Sequence, residues 1–160
     1  MQNPTDEQIE LILHNTKRFR DHLILRIAID TGMRVGEIEA LNVEDILDDG
    51  YKIRINKGKH HPEGRTIIIY SDPLIKMLKY YTKNRVGQEP LFISNKGGRL
   101  SKRIMQRIYT DVAAKIQLPK EQRHIHILRH SHVRRALGNV DGLPKYLGHS
   151  GWQGTIPYLP

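Results

Sequence analysis

The sequence contains no cysteine among its 160 residues. Disulfide bonds, thiolate zinc sites and cysteine nucleophiles are therefore excluded, because each of them needs a thiol. The sequence also has no run of about 18 apolar residues, the length that a membrane-spanning helix needs. Its opening, MQNPTDEQIE, lacks the basic start and apolar stretch of a secretory signal. We therefore expect a cytoplasmic protein without membrane attachment.

Negative charge is scarce relative to positive charge. Lys and Arg total 26 against 17 Asp and Glu, which gives a formal net charge of +9. Such an excess attracts polyanions, with nucleic acid the first candidate and an anionic membrane surface the second. The length and the 38% hydrophobic content suit one domain with its own core, which we place at residues 1–160.

Capping residues and hydrophobic periodicity predict a mainly α-helical fold with a small antiparallel β-sheet, the α+β class. The capping box Thr5-Asp6-Glu7-Gln8 opens a helix that ends near Asn15, and an apolar helix from Arg18 to Thr31 ends at Gly32. The other predicted helices cover about 35–41, 72–83, 101–115, 126–137 and 143–147, and a turn or short helix surrounds Tyr158. Strands are predicted at 51–56 and 65–70, with a tight turn at 49–50.

The segment HIHILRHSH, residues 124–132, is rich in histidine. On a helix, His126 and His130 share a face at the spacing of two zinc ligands. No Asp or Glu lies between Glu121 and Asp141 to complete such a site, so we predict no metal. His126 and Arg129 also share a face and could together bind a phosphate. The alternative is a surface helix whose basic residues converge on nothing.

Three other segments contain side chains that could act on a phosphate. TGMRVGEIEAL places Arg34 between two helices, where backbone amides and a guanidinium can face one anion. INKGKHHPEGR places Lys57 and Lys59 at the tip of the predicted hairpin, and LGHSGWQGTIPY places His149 shortly before Tyr158. Taken singly, each has an ordinary alternative. Arg34 could be a surface charge, the hairpin tip with Lys57 and Lys59 a solvated loop, and the segment with Tyr158 a tail that covers the core.

In this order, the motifs resemble those of the tyrosine recombinase catalytic domain, the phage integrase family. TGMRVGEIEAL is similar to the TGLRxSEL box with the first catalytic arginine, HILRHSH to the HxLRH box with the second, and INKGKHHPEGR to the GKGxKxR hairpin. The resemblance extends over nearly the whole chain. It implies the catalytic residues Arg34, Lys57, His126, Arg129, His149 and the nucleophile Tyr158.

The resemblance implies a metal-independent and cofactor-free reaction. The oxygen of Tyr158 attacks a DNA phosphodiester and forms a covalent 3′-phosphotyrosine, which stores the bond for rejoining. Arg34 and Arg129 stabilise the charge on the phosphate, His126 is favoured over His149 as the proton acceptor, and Lys57 protonates the leaving 5′ oxygen. The implied partners are double-stranded DNA and other recombinase protomers in a tetrameric synapse, and the implied location is the nucleoid.

DNA contacts outside this centre are expected from basic residues. The helix that starts at Ser101 presents cations in its first turns, where they and the helix N-terminus suit phosphate. The expected DNA-binding residues are Lys59, Lys102, Arg103 and Arg107, with Gln106 beside them. Glu37, one turn after Arg34, is interpreted either as a positioning partner of that arginine or as a surface ion pair.

Several departures from the family pattern affect these assignments. Asn56 replaces the usual glycine before Lys57, and the hairpin is longer, so Lys59 is an alternative to Lys57 as the general acid. Pro157 directly precedes Tyr158 and predicts a broken or very short helix there. The chain begins almost at the first helix of the catalytic domain, so we expect it to lack the family's N-terminal DNA-clamping domain and to be a fragment of a longer integrase. A non-catalytic DNA-binding relative and a histidine-metal hydrolase are the alternative functions.

Overall fold

The helices and strands confirm the predicted class. The computed structural model describes residues 2–56 and 62–136. Its helices are α1 (Asp6–His14), α2 (Phe19–Thr31), α3 (Val35–Glu39), α4 (Asp72–Thr82), α5 (Lys102–Lys115) and α6 (His126–Ala136). Its strands are β1 (Ile46–Leu47), β2 (Lys52–Ile55) and β3 (Arg65–Ile68). The described chain is therefore mainly helical with one small sheet, and none of its helices is long and apolar enough to cross a membrane.

The sheet is antiparallel in the order β1-β2-β3. The tight turn predicted at 49–50 is confirmed, because Asp49 and Gly50 both have positive φ, 56° and 95°, between β1 and β2. A side chain at position 50 would clash, since its Cβ would lie 2.6 Å from the Ile75 carbonyl oxygen. Strand β1 was not predicted, because two residues are too few to show an alternating pattern.

The helix boundaries follow local capping signals. Thr5 Oγ1 accepts a hydrogen bond from the Gln8 amide at 3.2 Å, and Gln8 Oε1 accepts one from the Thr5 amide at 2.8 Å, which is the predicted capping box. Gly32 ends α2 in the left-handed conformation, with φ 69°. Helix α3 ends at Glu39, two residues earlier than predicted. The predicted last residue of the 126–137 helix, the predicted helix at 143–147 and the predicted turn or short helix at Tyr158 lie outside the described residues.

Helix α2 lies at the centre of the fold. It packs against α1, α3, α4, α5 and α6, which explains why its apolar residues are distributed around the helix rather than along one face. The fully buried side chains on α2 include Leu23, Ile24, Leu25, Ile27 and Ile29. Because α2 packs against five other helices, its C-terminal end has little freedom to move, and Arg34 lies three residues beyond that end.

Candidate active site

Arg34 occupies the N-cap position of α3, where the chain leaves the end of α2. Its backbone amide donates to Glu37 Oε2 at 2.9 Å, and its Nη1 lies 3.4 Å from Glu37 Oε1. The Arg34 side chain is 29% exposed, so part of it is open to solvent, and Glu37 holds both its backbone amide and its guanidinium. An arginine placed in this way can bind an anion that approaches from solvent.

A second arginine, Arg65 at the start of β3, also binds Glu37. Arg65 Nη1 donates to Oε1 at 2.8 Å and Nη2 to Oε2 at 3.4 Å. Burial raises the pKa of Glu37, but the hydrogen bonds and positive charges of Arg65 and Arg34 outweigh it, so the pKa lies below its ordinary value. Glu37 is only 14% exposed and pairs with both arginines, so its ion pair with Arg34 is partly shielded from water. Arg65 was not singled out from the sequence, although it is the final arginine of INKGKHHPEGR and matches the arginine that ends the GKGxKxR motif.

Arg129 projects from α6 into the protein and is 2% exposed. Its Nη1 donates to the Gly32 carbonyl oxygen at 2.5 Å. Since Gly32 precedes Arg34 by two residues, this bond connects the second predicted catalytic arginine to the junction that carries the first.

His126 begins α6 and faces the same junction. Together with Met33 and Val35, the two neighbours of Arg34, it lines one small pocket. Partial removal from water lowers the pKa of His126, and the positive charges of Arg129 and Arg34 lower it further. The structure thus brings Arg34, His126 and Arg129 together. The two positive charges favour the neutral form of the His126 imidazole, which can accept a proton.

His130 lies one turn further along α6, with its ring edge-to-face against His126 and the ring centroids 4.7 Å apart. Burial lowers the pKa of His130 to about 4, and the charges of His126 and Arg129 contribute in the same direction. Across residues 2–56 and 62–136, no group of three or more His, Asp or Glu side chains is arranged to hold a metal ion. The pair therefore lacks a third ligand within that part of the chain.

Four of the predicted site residues, Lys57, Lys59, His149 and Tyr158, lie outside the described residues. The ends of the loop that contains the two lysines are described. Asn56 Nδ2 donates to Asp45 Oδ1 at 2.8 Å, and Asp45 is only 1% exposed. A glycine in place of Asn56 could not make this bond, which gives the departure from the family motif a structural reason.

The other end of that loop is equally constrained. Gly64 has φ 79°, and a Cβ there would lie 2.5 Å from the Ile55 carbonyl oxygen. Arg65 follows it and binds Glu37. The hairpin base is therefore attached to the same carboxylate that holds Arg34.

The first turns of α5 present basic side chains to solvent, as predicted. Ser101 Oγ caps the helix by accepting from the Ile104 amide at 3.3 Å, and Lys102, Arg103 and Arg107 are exposed. Gln106 differs from the prediction, because its Nε2 donates to the Arg123 carbonyl at 3.2 Å and its Oε1 accepts from the Ile125 amide at 3.0 Å. Its amide thus fixes the segment that leads into α6.

Comparison with protein families places the chain in a known group. The model described as "Phage integrase family" matches residues 2–159. A probable integrase/recombinase protein of Methanocaldococcus jannaschii is 33% identical over 153 residues, covering 88% of this chain and 46% of that protein. The tyrosine recombinase XerA of Saccharolobus solfataricus is 30% identical over 156 residues, covering 94% and 49%. The chain thus spans about half the length of these relatives.

Solved structures share the fold. The crystal structure of XerA recombinase superimposes with a TM-score of 0.85 at 23% identity, covering 99% of this chain and 58% of that one. XerH site-specific recombinase bound to its difH substrate gives 0.79 at 22% identity, covering 99% and 50%.

Proposed function

This chain belongs to the phage integrase family, and from that membership we propose that it is the catalytic domain of a tyrosine-type site-specific recombinase. It would cleave and rejoin DNA strands without a metal ion or other cofactor. The observation that carries the proposal is the convergence of Arg34, His126 and Arg129 at one junction, since Arg129 binds the Gly32 carbonyl and both arginines lower the pKa of His126.

In the proposed reaction, the phenolic oxygen of Tyr158 attacks a DNA phosphorus atom while the bond from phosphorus to the 5′ oxygen breaks. The tyrosine proton passes to His126, whose lowered pKa keeps it neutral and able to accept. Lys57 gives a proton to the departing 5′ oxygen, and His149 hydrogen-bonds the phosphate. The reverse attack by a 5′ hydroxyl restores the backbone, because the phosphotyrosine conserves the energy of the bond.

The two arginines stabilise the charge that develops on the non-bridging phosphate oxygens. Such fixed donors are effective because they need no reorganisation when the charge appears. Arg34 is held by Glu37, and Arg129 by the Gly32 carbonyl, so both side chains are oriented before DNA binds. This preorganised pair would serve the purpose of the metal ions in other phosphoryl-transfer enzymes.

DNA would be bound mainly through its backbone. Lys102, Arg103 and Arg107 on the first turns of α5, with Lys59 in the hairpin, would contact phosphates. The similar proteins are about twice as long as this chain, and XerH and lambda integrase have been solved on their DNA sites, the latter as a dimer. We propose that this domain acts as part of a longer protein, in a tetramer of protomers on DNA at the nucleoid.

Trapping a covalent complex tests the proposal. A nicked DNA substrate that loses a short fragment after cleavage should leave a denaturation-resistant adduct with the wild-type chain. Tyr158→Phe should abolish the adduct while DNA affinity stays nearly unchanged, and Tyr146→Phe is the matched control that should keep it. DNA binding by the wild-type chain without any adduct would favour a non-catalytic relative, and an adduct that maps to Tyr146 would overturn the nucleophile assignment.

A further inference from the structure

The C-terminal end of α2 receives its hydrogen bonds from another helix. The last carbonyls of a helix have no donor within it, and α2 has no basic residue in its last turn. Three side chains of α6 act instead. Arg129 Nη1 donates to the Gly32 carbonyl at 2.5 Å, and His132 Nδ1 and Arg135 Nη2 both bind the Ile29 carbonyl, at 3.0 and 3.1 Å. Spaced three residues apart, these donors share one face of α6.

The contact between the two helices is close as well as polar. His132 is 9% exposed and Arg129 2%. A Cβ at Gly32 would lie 2.6 Å from His132 Cδ2, so the histidine ring rests against the glycine backbone. A carbonyl oxygen only accepts hydrogen bonds, so Nδ1 of His132 carries the proton. The ring therefore has a defined tautomer and little freedom to move.

This α2–α6 joint, the contact of Arg129, His132 and Arg135 with the Gly32 and Ile29 carbonyls, lies between the residues that the proposed reaction needs. Arg34 follows the end of α2, whereas His126 and Arg129 belong to α6. The distance between the two guanidinium groups is thus determined by how α6 is seated on the end of α2. Phosphoryl transfer is sensitive to such distances, because a misplacement of about 1 Å can cost about 100-fold in rate.

We propose that His132 and Arg135 are positioning residues, which hold the Ile29 carbonyl against α6 and so set the placement of Arg34 relative to Arg129. This role rests on the proposed function, since it concerns the geometry of the same reaction. Neither side chain touches the DNA or the reacting atoms in this role.

Paired variants separate the hydrogen bond from the packing. His132→Phe keeps an aromatic ring of similar size and removes the donor, whereas His132→Asn places an amide donor near the position of Nδ1. Arg135→Met keeps the aliphatic stem and removes the guanidinium. Arg134→Met is its control, because Arg134 is the next residue on α6, is likewise exposed, and its substitution removes the same charge without removing the Arg135 bond to Ile29. If His132→Phe fails to fold, Arg135→Met carries the test.

Amide hydrogen exchange at residues 29–35 of the DNA-free chain gives the first readout and needs no activity. His132→Phe and Arg135→Met should exchange about fivefold faster there, the effect of losing one hydrogen bond. His132→Asn and Arg134→Met should exchange like the wild type. Exchange that rises equally at the buried Ile12 of α1 would indicate general loosening and overturn the proposal.

Single-turnover adduct formation gives the second readout. His132→Phe should slow it by about tenfold or more while the DNA Kd stays within about twofold, and His132→Asn should restore most of the rate. Equal rates for His132→Phe and His132→Asn, or for Arg134→Met and Arg135→Met, would overturn the proposal. If the wild-type chain forms no adduct, the proposed function fails, and the exchange comparison still decides whether these two residues hold the joint.

Discussion

At the scale of single residues, Glu37 accepts hydrogen bonds from arginines of two different elements. Arg34 belongs to the start of α3 and Arg65 to the start of β3. The exposed fractions of Glu37 and Arg65 are 14% and 12%, so water screens their attraction only in part. Removing one partner of such a pair leaves the other charge without compensation, which costs more than the pair itself contributes.

We expect Arg65→Met to lower the free energy of unfolding by about 1–3 kcal/mol, because it leaves the Glu37 carboxylate with one cation. Urea denaturation measures the change. The double variant Glu37→Gln/Arg65→Met should lose less stability than the sum of the two single variants. Glu37→Gln leaves the Arg65 charge unpaired, and Arg65→Met then removes that charge. Strict additivity would contradict the coupling. Lys52→Met is the solvated comparison, because its ion pair with Asp48 is 43% and 64% exposed, and it should cost less than Arg65→Met.

Lys57 is the assignment that depends most on the register of the longer hairpin. If Lys57 is the general acid, Lys57→Ala should be slow on ordinary DNA and largely restored on a substrate with a bridging 5′ sulfur, because a thiolate leaves without a proton. Single-turnover cleavage of the two substrates measures this.

The matched variants are Lys59→Ala and Arg34→Ala. Arg34→Ala should stay slow on both substrates, because it stabilises the non-bridging oxygens, and its loss should cost roughly 3–4 kcal/mol by analogy with one oxyanion donor. If the sulfur restores Lys59→Ala and not Lys57→Ala, the general acid lies two residues further along the hairpin.

At the scale of the elements, the end of α2 depends on Gly32. Its φ of 69° is strained for any other residue, and its missing side chain makes room for His132. We expect Gly32→Ala to destabilise the protein by about 1–2 kcal/mol from the backbone alone, with the contact to His132 adding to it. Thermal or urea unfolding measures this loss.

Gly36 is the control within the same sequence motif. It lies inside α3, and a Cβ there would meet nothing within 4 Å. Gly36→Ala should therefore leave stability unchanged or raise it by up to about 1 kcal/mol, because alanine favours the helix. Equal destabilisation by both substitutions would show that Gly32 is no more constrained than an ordinary helix position.

At the scale of the whole molecule, buried histidines make stability depend on pH. Burial lowers the pKa of His132 to about 4, from an ordinary value of 6.5. Between these values the unfolded chain binds a proton that the folded chain does not, so the free energy of unfolding falls as the pH drops from about 6.5 to 4. The loss from His132 amounts to about 3 kcal/mol at most.

Urea denaturation at several pH values between 7 and 4 measures this loss. His132→Asn should make the pH dependence shallower, because it removes one titrating ring and keeps a donor for the Ile29 carbonyl, while His130, whose pKa is also lowered to about 4, still contributes. The same slope in wild type and variant would show that other groups cause it.

The net charge of +9 predicts DNA binding that weakens steeply with salt. Arg107→Ala should lower affinity to a similar extent on unrelated DNA sequences and reduce the slope of log K against log salt by about 1, as expected for one lost phosphate contact. Lys76→Ala, on the exposed surface of α4, removes the same charge and should change the slope less. Fluorescence anisotropy over a salt series distinguishes the two.

The sequence by itself determined the elements whose signals are local. The structure confirms three predicted helix ends: the Thr5 capping box, Gly32 at the end of α2 and Ser101 at the start of α5. These could be predicted because a cap and its helix are neighbours in the chain. Ordered motifs also pointed to the family and to Arg34, His126 and Arg129. Strand β1 escaped notice, since a strand of two residues has no periodicity.

Only the tertiary structure decided which distant groups hold these residues in place. Arg65 is 28 residues from Glu37, and His132 is 103 residues from Ile29, yet each pair shares a hydrogen bond. A hydrogen bond needs its donor and acceptor about 3 Å apart and aligned. That geometry depends on how α6 is seated on α2 and how β3 meets α3, and packing between elements, rather than any local pattern, determines both.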